Sequence, residues 1–524
     1  MAFSVVQSRA IAALTLLPVS VETDLSNGLP QFSIVGLPDA AVREAKERVR
    51  SAIINSGFEF PQRRITVNLA PADLPKDSGR FDLAIAIGIL IASGQISSAR
   101  LSATLGELIF VGELSLTGQL LPIRGAFAMA VGFLREQTSQ HRLILPLQNQ
   151  AEASLTDSDR LCFAASLVQV AAHLKTATSL AGLQPQGRHS RSQRSQESWS
   201  DVRGQHAAKR AALIAAAGQH NLLMLGPPGI GKSMIASRMA TLLPDLSHAQ
   251  ACELAAVQSL SGSIDLASWQ RPPYRAPHHS ASSRALIGGG QPVRPGEISL
   301  AHHGVLFLDE FPEFARDALE SLREPLEKSE VSIARVRDRV TFPADIMLIA
   351  AMNPCPCGYF GVRHPKRHCR CTPDRIARYR NRISGPLMDR FDMVIGLEAP
   401  SADELLHPLT EITQGQAADR QDDATIKSSV DKARHHQQRR QSCLNARLSI
   451  AEIQRHAPLD VQAEQLMSKA ARHWGWSARS WHRVLRVSRT IADLADEADV
   501  GLTHVAEAIE LRRAIDLGAQ DGVT

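Results

Sequence analysis

The stretch Asn221-Leu-Leu-Met-Leu-Gly-Pro-Pro-Gly-Ile-Gly-Lys-Ser233 decides the fold. Its apolar run 222–225 has the length of a buried strand, and the glycines and prolines behind it break the pattern before a helix begins. Residues 226–233 match G-x-x-x-x-G-K-[ST] in a strand, turn, helix setting, the context that a phosphate-binding loop requires. Gly226, Pro227, Pro228, Gly229, Ile230 and Gly231 are expected to line the phosphates of ATP at a helix N-terminus that favours their charge. Lys232 then reaches the terminal phosphates, and Ser233 offers its hydroxyl to Mg2+.

Outward from this loop, Val305-Leu-Phe-Leu-Asp-Glu310 is a second apolar run, and it ends in two carboxylates. Asp309 is placed to hold the metal, and Glu310 to act as general base on an attacking water. A third run, 346–353, ends in Asn353, whose amide would orient the same water; read alone, it is equally an ordinary strand end. Strands alternating with helical segments predict an α/β layer whose parallel sheet ends near residue 400. Ahead of the loop, Asp201 is expected to cap an alanine-rich helix through Ala217, with Gly218 ending it.

Residues 184–200, QPQGRHSRSQRSQESWS, are too polar to bury a core and read as a linker. Before it, 1–183 show short strands and helices with turns such as Asn27-Gly28. After the sheet, Leu466, Ala470, Trp474, Val484, Val487, Ile491 and Leu494 recur at helical spacing, so 401–524 form an all-helical domain. The division is therefore 1–183, linker 184–200, 201–400 and 401–524, in keeping with 524 residues at roughly 150 per domain. The longest apolar runs, such as 83–92, fall short of the roughly 20 residues that span a bilayer, and Gln7, Ser8 and Arg9 interrupt any leader pattern. A cytoplasmic protein without membrane contact is expected. Lys plus Arg number 58 against 53 Asp plus Glu, so any nucleic-acid contact must be local. At 4% aromatic residues, binding by stacked bases is disfavoured.

Four of the seven cysteines crowd into one segment: Cys355 and Cys357, then Cys369 and Cys371. Four thiolates in two pairs suffice for a tetrahedral, structural Zn2+. The spacing is C-x-C, where C-x-x-C is commoner; nearby Arg363, Lys366, Arg367 and Arg370 would favour thiolates, and His364 or His368 could replace one ligand. Free thiols or a redox-sensitive pair are the alternative. In 271–304, rich in Gly, Pro and Arg, no periodicity appears and an inserted loop is expected; His278-His279 there reads as a hydrogen-bonded turn, since neighbouring side chains diverge. The basic stretch 432–447 reads as a solvated helix face.

Taken together, GPPGIGKS, VLFLDE, AAMNPCPCG (350–358) and RISGPLMDRFD (382–392) resemble the magnesium-chelatase-like branch of AAA+ ATPases. With VETDLSNGLPQFSIVGLPDAAVREAKERVRSAI (21–53) and SARSWHRVLRVSRTIADL (477–494), the chain is identified as a member of the YifB/ComM family. The resemblance implies an α/β P-loop AAA+ domain with a helical lid, preceded by an α+β Lon-protease-like domain. It implies a homo-oligomeric ring, a hexamer, with Arg390 reaching a neighbour's γ-phosphate and Arg479 reaching ATP from its own lid, Arg483 being the second choice. In the front domain, 75–84 and 112–127 resemble the Lon segments that carry its serine and lysine, but by register these positions hold Arg80 and Phe127. Ser78 is two positions away and lacks a lysine partner, so the domain is expected to be catalytically silent.

The segment 331–342 is strand-like on both sides of a turn at Arg337-Asp338 and resembles the channel hairpin of the same superclade. Arg335, Arg337 and Arg339 would then contact DNA phosphates without regard to sequence; a solvated charged hairpin is the alternative. Two functions follow. One is an ATP-driven ring that moves DNA strands during branch migration of incoming DNA in natural transformation or recombination. The other is a protein-remodelling ATPase of the chelatase-motor kind.

Overall fold

A parallel five-stranded sheet carries the phosphate loop, and a mixed seven-stranded sheet precedes it in the chain. The computed structural model describes residues 3–36, 40–72, 79–97, 105–136, 140–156, 158–176, 179–182, 198–202, 204–262, 264–290, 292–334, 339–361, 368–397 and 412–520.

In the front domain the strand order is Gln31–Val35, Arg64–Ala70, Thr15–Ser26, Phe3–Ala12, Leu108–Phe110, Arg142–Pro146, Leu161–Ala164. Phe3–Ala12 pairs antiparallel with Thr15–Ser26, from Phe3↔Asp24 to Ala12↔Thr15, while the last four strands of the order run parallel. Val19, Val21, Thr23 and Leu25 alternate inward, the period-two signature of a sheet with one buried face. The apolar run 83–92 forms the helix Asp82–Ala92, buried at every residue but Ile91. A helix apolar all round belongs in a core or a membrane. Here it lies in the core, close enough that a Cβ on Gly88 would sit 2.6 Å from Thr23 Oγ1. Among the described residues no helix is long and apolar enough to cross a membrane.

The second sheet runs Tyr274–Arg275, Val305–Leu308, Met347–Met352, Leu222–Leu225, Met393–Gly396, all parallel. Both faces are covered, which is why its strands read as continuous apolar runs. Leu222 and Met224 face one core, and Leu223 faces the other. The first of these cores continues into the C-terminal helices Ile412–Gln441, Ile450–His456, Val461–Trp474, Ala478–Leu494 and Leu502–Gln520. Ala470, Val484, Val487 and Ile491 are buried there, with Leu466, Trp474 and Leu494 packed at its margin, as the spacing predicted.

Four local expectations are corrected. The alanine helix is His206–Gly218, entered through Gln205 in a left-handed conformation; Asp201 instead accepts from the Ser198 N–H at 3.1 Å and from Arg238 at 2.9 Å. At the end of the linker range, Trp199 is buried in the core beside the five-stranded sheet, so 198–200 pack with that domain; 184–197 lie outside the described residues. The expected loop 271–304 holds the sheet's edge strand, the helices Ser283–Ile287 and Glu297–Leu300, and the pair Gly288–Gly289 with Arg294–Pro295; elements this short leave no periodicity to read. The basic stretch is a helix face only in part solvated. Arg434 and Gln437 donate to the carbonyls of Ala216 and Ala217, the open end of the alanine helix, and Arg440 pairs with Asp493. Lys432, His435 and Arg439 remain exposed.

Candidate functional site

The strand Leu222–Leu225 delivers the chain into the loop, and the helix Lys232–Leu242 leaves it. Gly229 and Gly231 hold φ of +81° and +95°, and a Cβ on either would meet nothing within 4 Å. Glycine is needed here for its left-handed backbone, and the space beside it is open to a ligand. Lys232 is 8% exposed and donates to Gly226 O at 2.7 Å, Pro227 O at 2.9 Å and Asn353 Oδ1 at 3.0 Å. Burial pulls its ammonium below the usual lysine value, while Asp309 and Glu310 push it back up. Ser233 donates to Asp309 Oδ2 at 2.6 Å, so the two expected Mg2+ ligands already touch.

Lys232, Ser233, Asp309 and Asn353 thus converge from the C-terminal ends of three adjacent parallel strands, where open α/β sheets bind ligands. An ammonium, a hydroxyl, a carboxylate and an open glycine loop at a helix N-terminus fit a triphosphate and its Mg2+. Glu310 follows in a left-handed conformation, φ 49°, with its side chain half exposed. Its carboxylate lies 2.9 Å from His279 Nδ1, a neighbour that the sequence did not reveal.

The four cysteines do come together. Cys355 Sγ lies 3.3 Å from Cys357 and 3.7 Å from Cys369, Cys357 lies 3.6 Å from Cys369, and all four sulfurs fall within 4.8 Å of one another. Tetrahedral zinc with Zn–S of about 2.3 Å requires sulfurs about 3.8 Å apart, so the donor set fits. Burial raises the Cys357 thiol, but backbone bonds at Tyr359 and Arg370 outweigh it and bring the value down to about 6. His368 is exposed and outside the cluster; Arg363, His364, Lys366 and Arg367 lie outside the described residues. A Cβ on Gly358 would come 2.6 Å from Pro228 Cδ, so this turn leans directly on the phosphate loop.

The candidate arginines are placed differently. Arg390 is 6% exposed and bonds Glu327 Oε2 at 2.7 Å, while its buried Nε has no hydrogen-bond partner among the described residues. Arg479 is exposed in the first turn of its helix. Arg483 pairs with Asp392 and donates to Arg390 O at 3.2 Å, tying the lid to the sheet domain. Glu330–Ala334 and Arg339–Pro343 pair as the expected hairpin, with Arg339 exposed at its end; Arg335 and Arg337 lie outside the described residues.

The family profile described as magnesium chelatase, subunit ChlI, matches residues 198–405; related profiles match 21–149 and, for the ChlI C-terminal region, 420–512. The chain is 44% identical to the competence protein ComM of Haemophilus influenzae, over 99% of each chain. It is also 44% identical to the uncharacterized protein YifB of Salmonella typhimurium, over 98% of each. The chain belongs to the YifB/ComM family.

The two residues expected at the Lon-like serine and lysine positions, Arg80 and Phe127, are both buried. Arg80 is 9% exposed in the turn Gly79–Phe81, and Ser78 lies outside the described residues. Phe127 is fully buried where the helix Ala126–Arg135 packs on the helix His248–Ser261 of the ATP domain, its ring edge-on to Trp269 at 6.3 Å. The position expected to match the Lon lysine is an apolar contact between the two sheet domains. Two residues after Arg80, Asp82 is fully buried, and burial lifts its carboxyl to about 7 against the opposing pull of Arg48 at 2.9 Å.

Proposed function

We propose that this family member is an ATP-hydrolysing ring motor that moves DNA strands past one another, promoting branch migration while incoming DNA is integrated. The observation that carries the reading is the constellation of Lys232, Ser233, Asp309 and Asn353 at neighbouring strand ends, with Glu310 one residue beyond. Lys232 and the loop hold the phosphates, Ser233 and Asp309 hold Mg2+, Glu310 takes a proton from water, and Asn353 orients that water. The metal neutralises charge on the phosphates. Arg390 completes a neighbouring site on this reading, which requires it to exchange Glu327 for a γ-phosphate; exposed Arg479 reaches the nucleotide of its own chain. The DNA reading is supported by the paired hairpin with Arg339 at its end and by the competence protein among the relatives. Cys355, Cys357, Cys369 and Cys371 hold a structural Zn2+, closed to substrate because all four positions are protein ligands.

The test is the ATPase rate of the full-length chain with no DNA, single-stranded DNA and forked DNA, alongside particle mass with nucleotide. Closed hexamers whose turnover rises on DNA are expected. Monomers throughout, or hexamers indifferent to both DNAs, overturn the DNA-motor reading; the second result favours a protein-remodelling ATPase.

A further inference from the structure

Arg390 lies in the turn 389–392, between the short helix Gly385–Met388 and the strand Met393–Gly396. Side chains from elsewhere hold the carbonyls of this turn. Arg390 O accepts from Asn221 Nδ2 at 3.0 Å and from Arg483 at 3.2 Å. Phe391 O accepts from Arg512 Nη1 at 3.0 Å, while the Phe391 ring stands edge-on to Phe311, the residue after Glu310, at 5.6 Å. Asn221 leads into the strand before the phosphate loop, whereas Arg483 and Arg512 come from the lid helices Ala478–Leu494 and Leu502–Gln520. Arg512 is 3% exposed, and its Nη2 donates a second bond, also 3.0 Å, to Ser480 Oγ. Ser480 follows Arg479 directly in the first turn of its helix.

Burying a guanidinium costs desolvation that an apolar side chain of similar length would avoid. What it supplies is geometry. Its donors are fixed in one plane, so two acceptors that it bonds are fixed relative to each other. Here they are Phe391 O, one residue from Arg390, and Ser480 Oγ in the lid. The Arg390 side chain bonds Glu327 at 2.7 Å and must leave it to meet a γ-phosphate, so during that exchange only its backbone stays held. We propose that Arg512 is a positioning residue for Arg390: it pins the adjoining carbonyl to the lid, so that the Arg390 side chain reaches a neighbouring chain's γ-phosphate from a fixed base. This rests on the reading of Arg390 as the arginine that completes a neighbouring site.

Full-length wild type, Arg512→Met, Arg512→Lys, Arg390→Ala and Lys232→Ala chains are compared for kcat and for binding of a fluorescent ATP analogue, alone and mixed in equal amounts. Arg512→Met is expected to lower kcat on the order of tenfold while leaving analogue affinity within about twofold. Mixed with Lys232→Ala, which brings a well-held Arg390, it should turn over about fivefold above the mean of the two chains measured apart, because about a quarter of random junctions then pair an intact loop with that arginine. Mixed with Arg390→Ala, it should stay at the mean. Arg512→Lys keeps the charge but reaches only one of the two acceptors. A smaller loss, relieved by the same partner, is expected of it, and it carries the test if Arg512→Met does not assemble. Wild-type kcat in the Arg512 variants, or a loss that Lys232→Ala does not relieve, overturns the positioning role. So does recovery with Arg390→Ala, which would put the defect in the chain's own site through Ser480 and Arg479. If Arg390→Ala mixed with Lys232→Ala stays dead, the shared-site reading of Arg390 fails and this proposal with it; if that pair recovers while Arg512→Met with Lys232→Ala does not, Arg390 stands and Arg512 does not position it.

Discussion

Replacing Phe127 with alanine should loosen the front domain from the ATP domain. The ring is fully buried among Ala128, Leu155, Ala255 and Ala256, with Trp269 edge-on to it and Val131 and Leu260 alongside. Removing roughly 150 Å2 of apolar surface at about 25 cal/mol per Å2 loses about 4 kcal/mol, within the range of about 3 to 5 kcal/mol for phenylalanine truncations that leave a cavity. The Gly125 N–H bonds Ser259 O at 3.1 Å across the same contact and reports its opening directly. Hydrogen exchange of residues 125–133 and 248–261 should speed up by several hundredfold, the equivalent of about 4 kcal/mol, while exchange in the strand Leu222–Leu225 stays unchanged. Phe127→Lys should be worse, because its ammonium would be buried among the apolar side chains that surround the ring. An increase of less than about tenfold for Phe127→Ala would refute the reasoning, since a ring that carries the contact cannot be removed at under about 1.4 kcal/mol.

Asp82 should make the front domain sensitive to pH. Its folded value is raised to about 7 against about 3.9 unfolded, so the folded state keeps the proton longer. Its contribution to stability is full below about pH 4 and is lost as pH rises to about 7. Asp82→Asn should therefore gain on wild type in thermal melts at pH 8 relative to pH 5; an equal difference at both pH values contradicts this. Cys357→Ser should drop bound zinc from about one per chain to near none by elemental analysis, and, through the Gly358 contact with Pro228, weaken ATP binding; metal-free wild-type protein would contradict the site. Arg390→Ala and Lys232→Ala chains, each inactive alone, should regain turnover when mixed, whereas mixtures that stay dead argue against a site shared between chains.

The nucleotide site was legible because each part is local: a glycine loop between strand and helix, and polar residues directly at the ends of apolar runs. Asp309 and Asn353 needed only the parallel sheet to meet Ser233 and Lys232. The paired strands Glu330–Ala334 and Arg339–Pro343 and the lid helices were legible for the same reason, their periodicity being intact. What escaped the sequence depends on distant register. His279 meets Glu310 only because a two-residue edge strand pairs with Val305–Leu308, and two residues are too few to show a period. Arg434 and Gln437 look like any charged helix face until the carbonyl end of the alanine helix is placed against them. Phe127 reads as a missing lysine in sequence, and Ala255, Ala256, Leu260 and Trp269, the partners that make it a contact between domains, lie more than a hundred residues away.

The most direct test is unwinding of a labelled DNA fork by the purified full-length chain with ATP, beside its Glu310→Gln variant. Strand displacement that requires hydrolysable ATP and vanishes in Glu310→Gln is the expected result. Displacement that proceeds without ATP, or none from a chain that hydrolyses ATP on that same fork, would contradict a motor driven from this site.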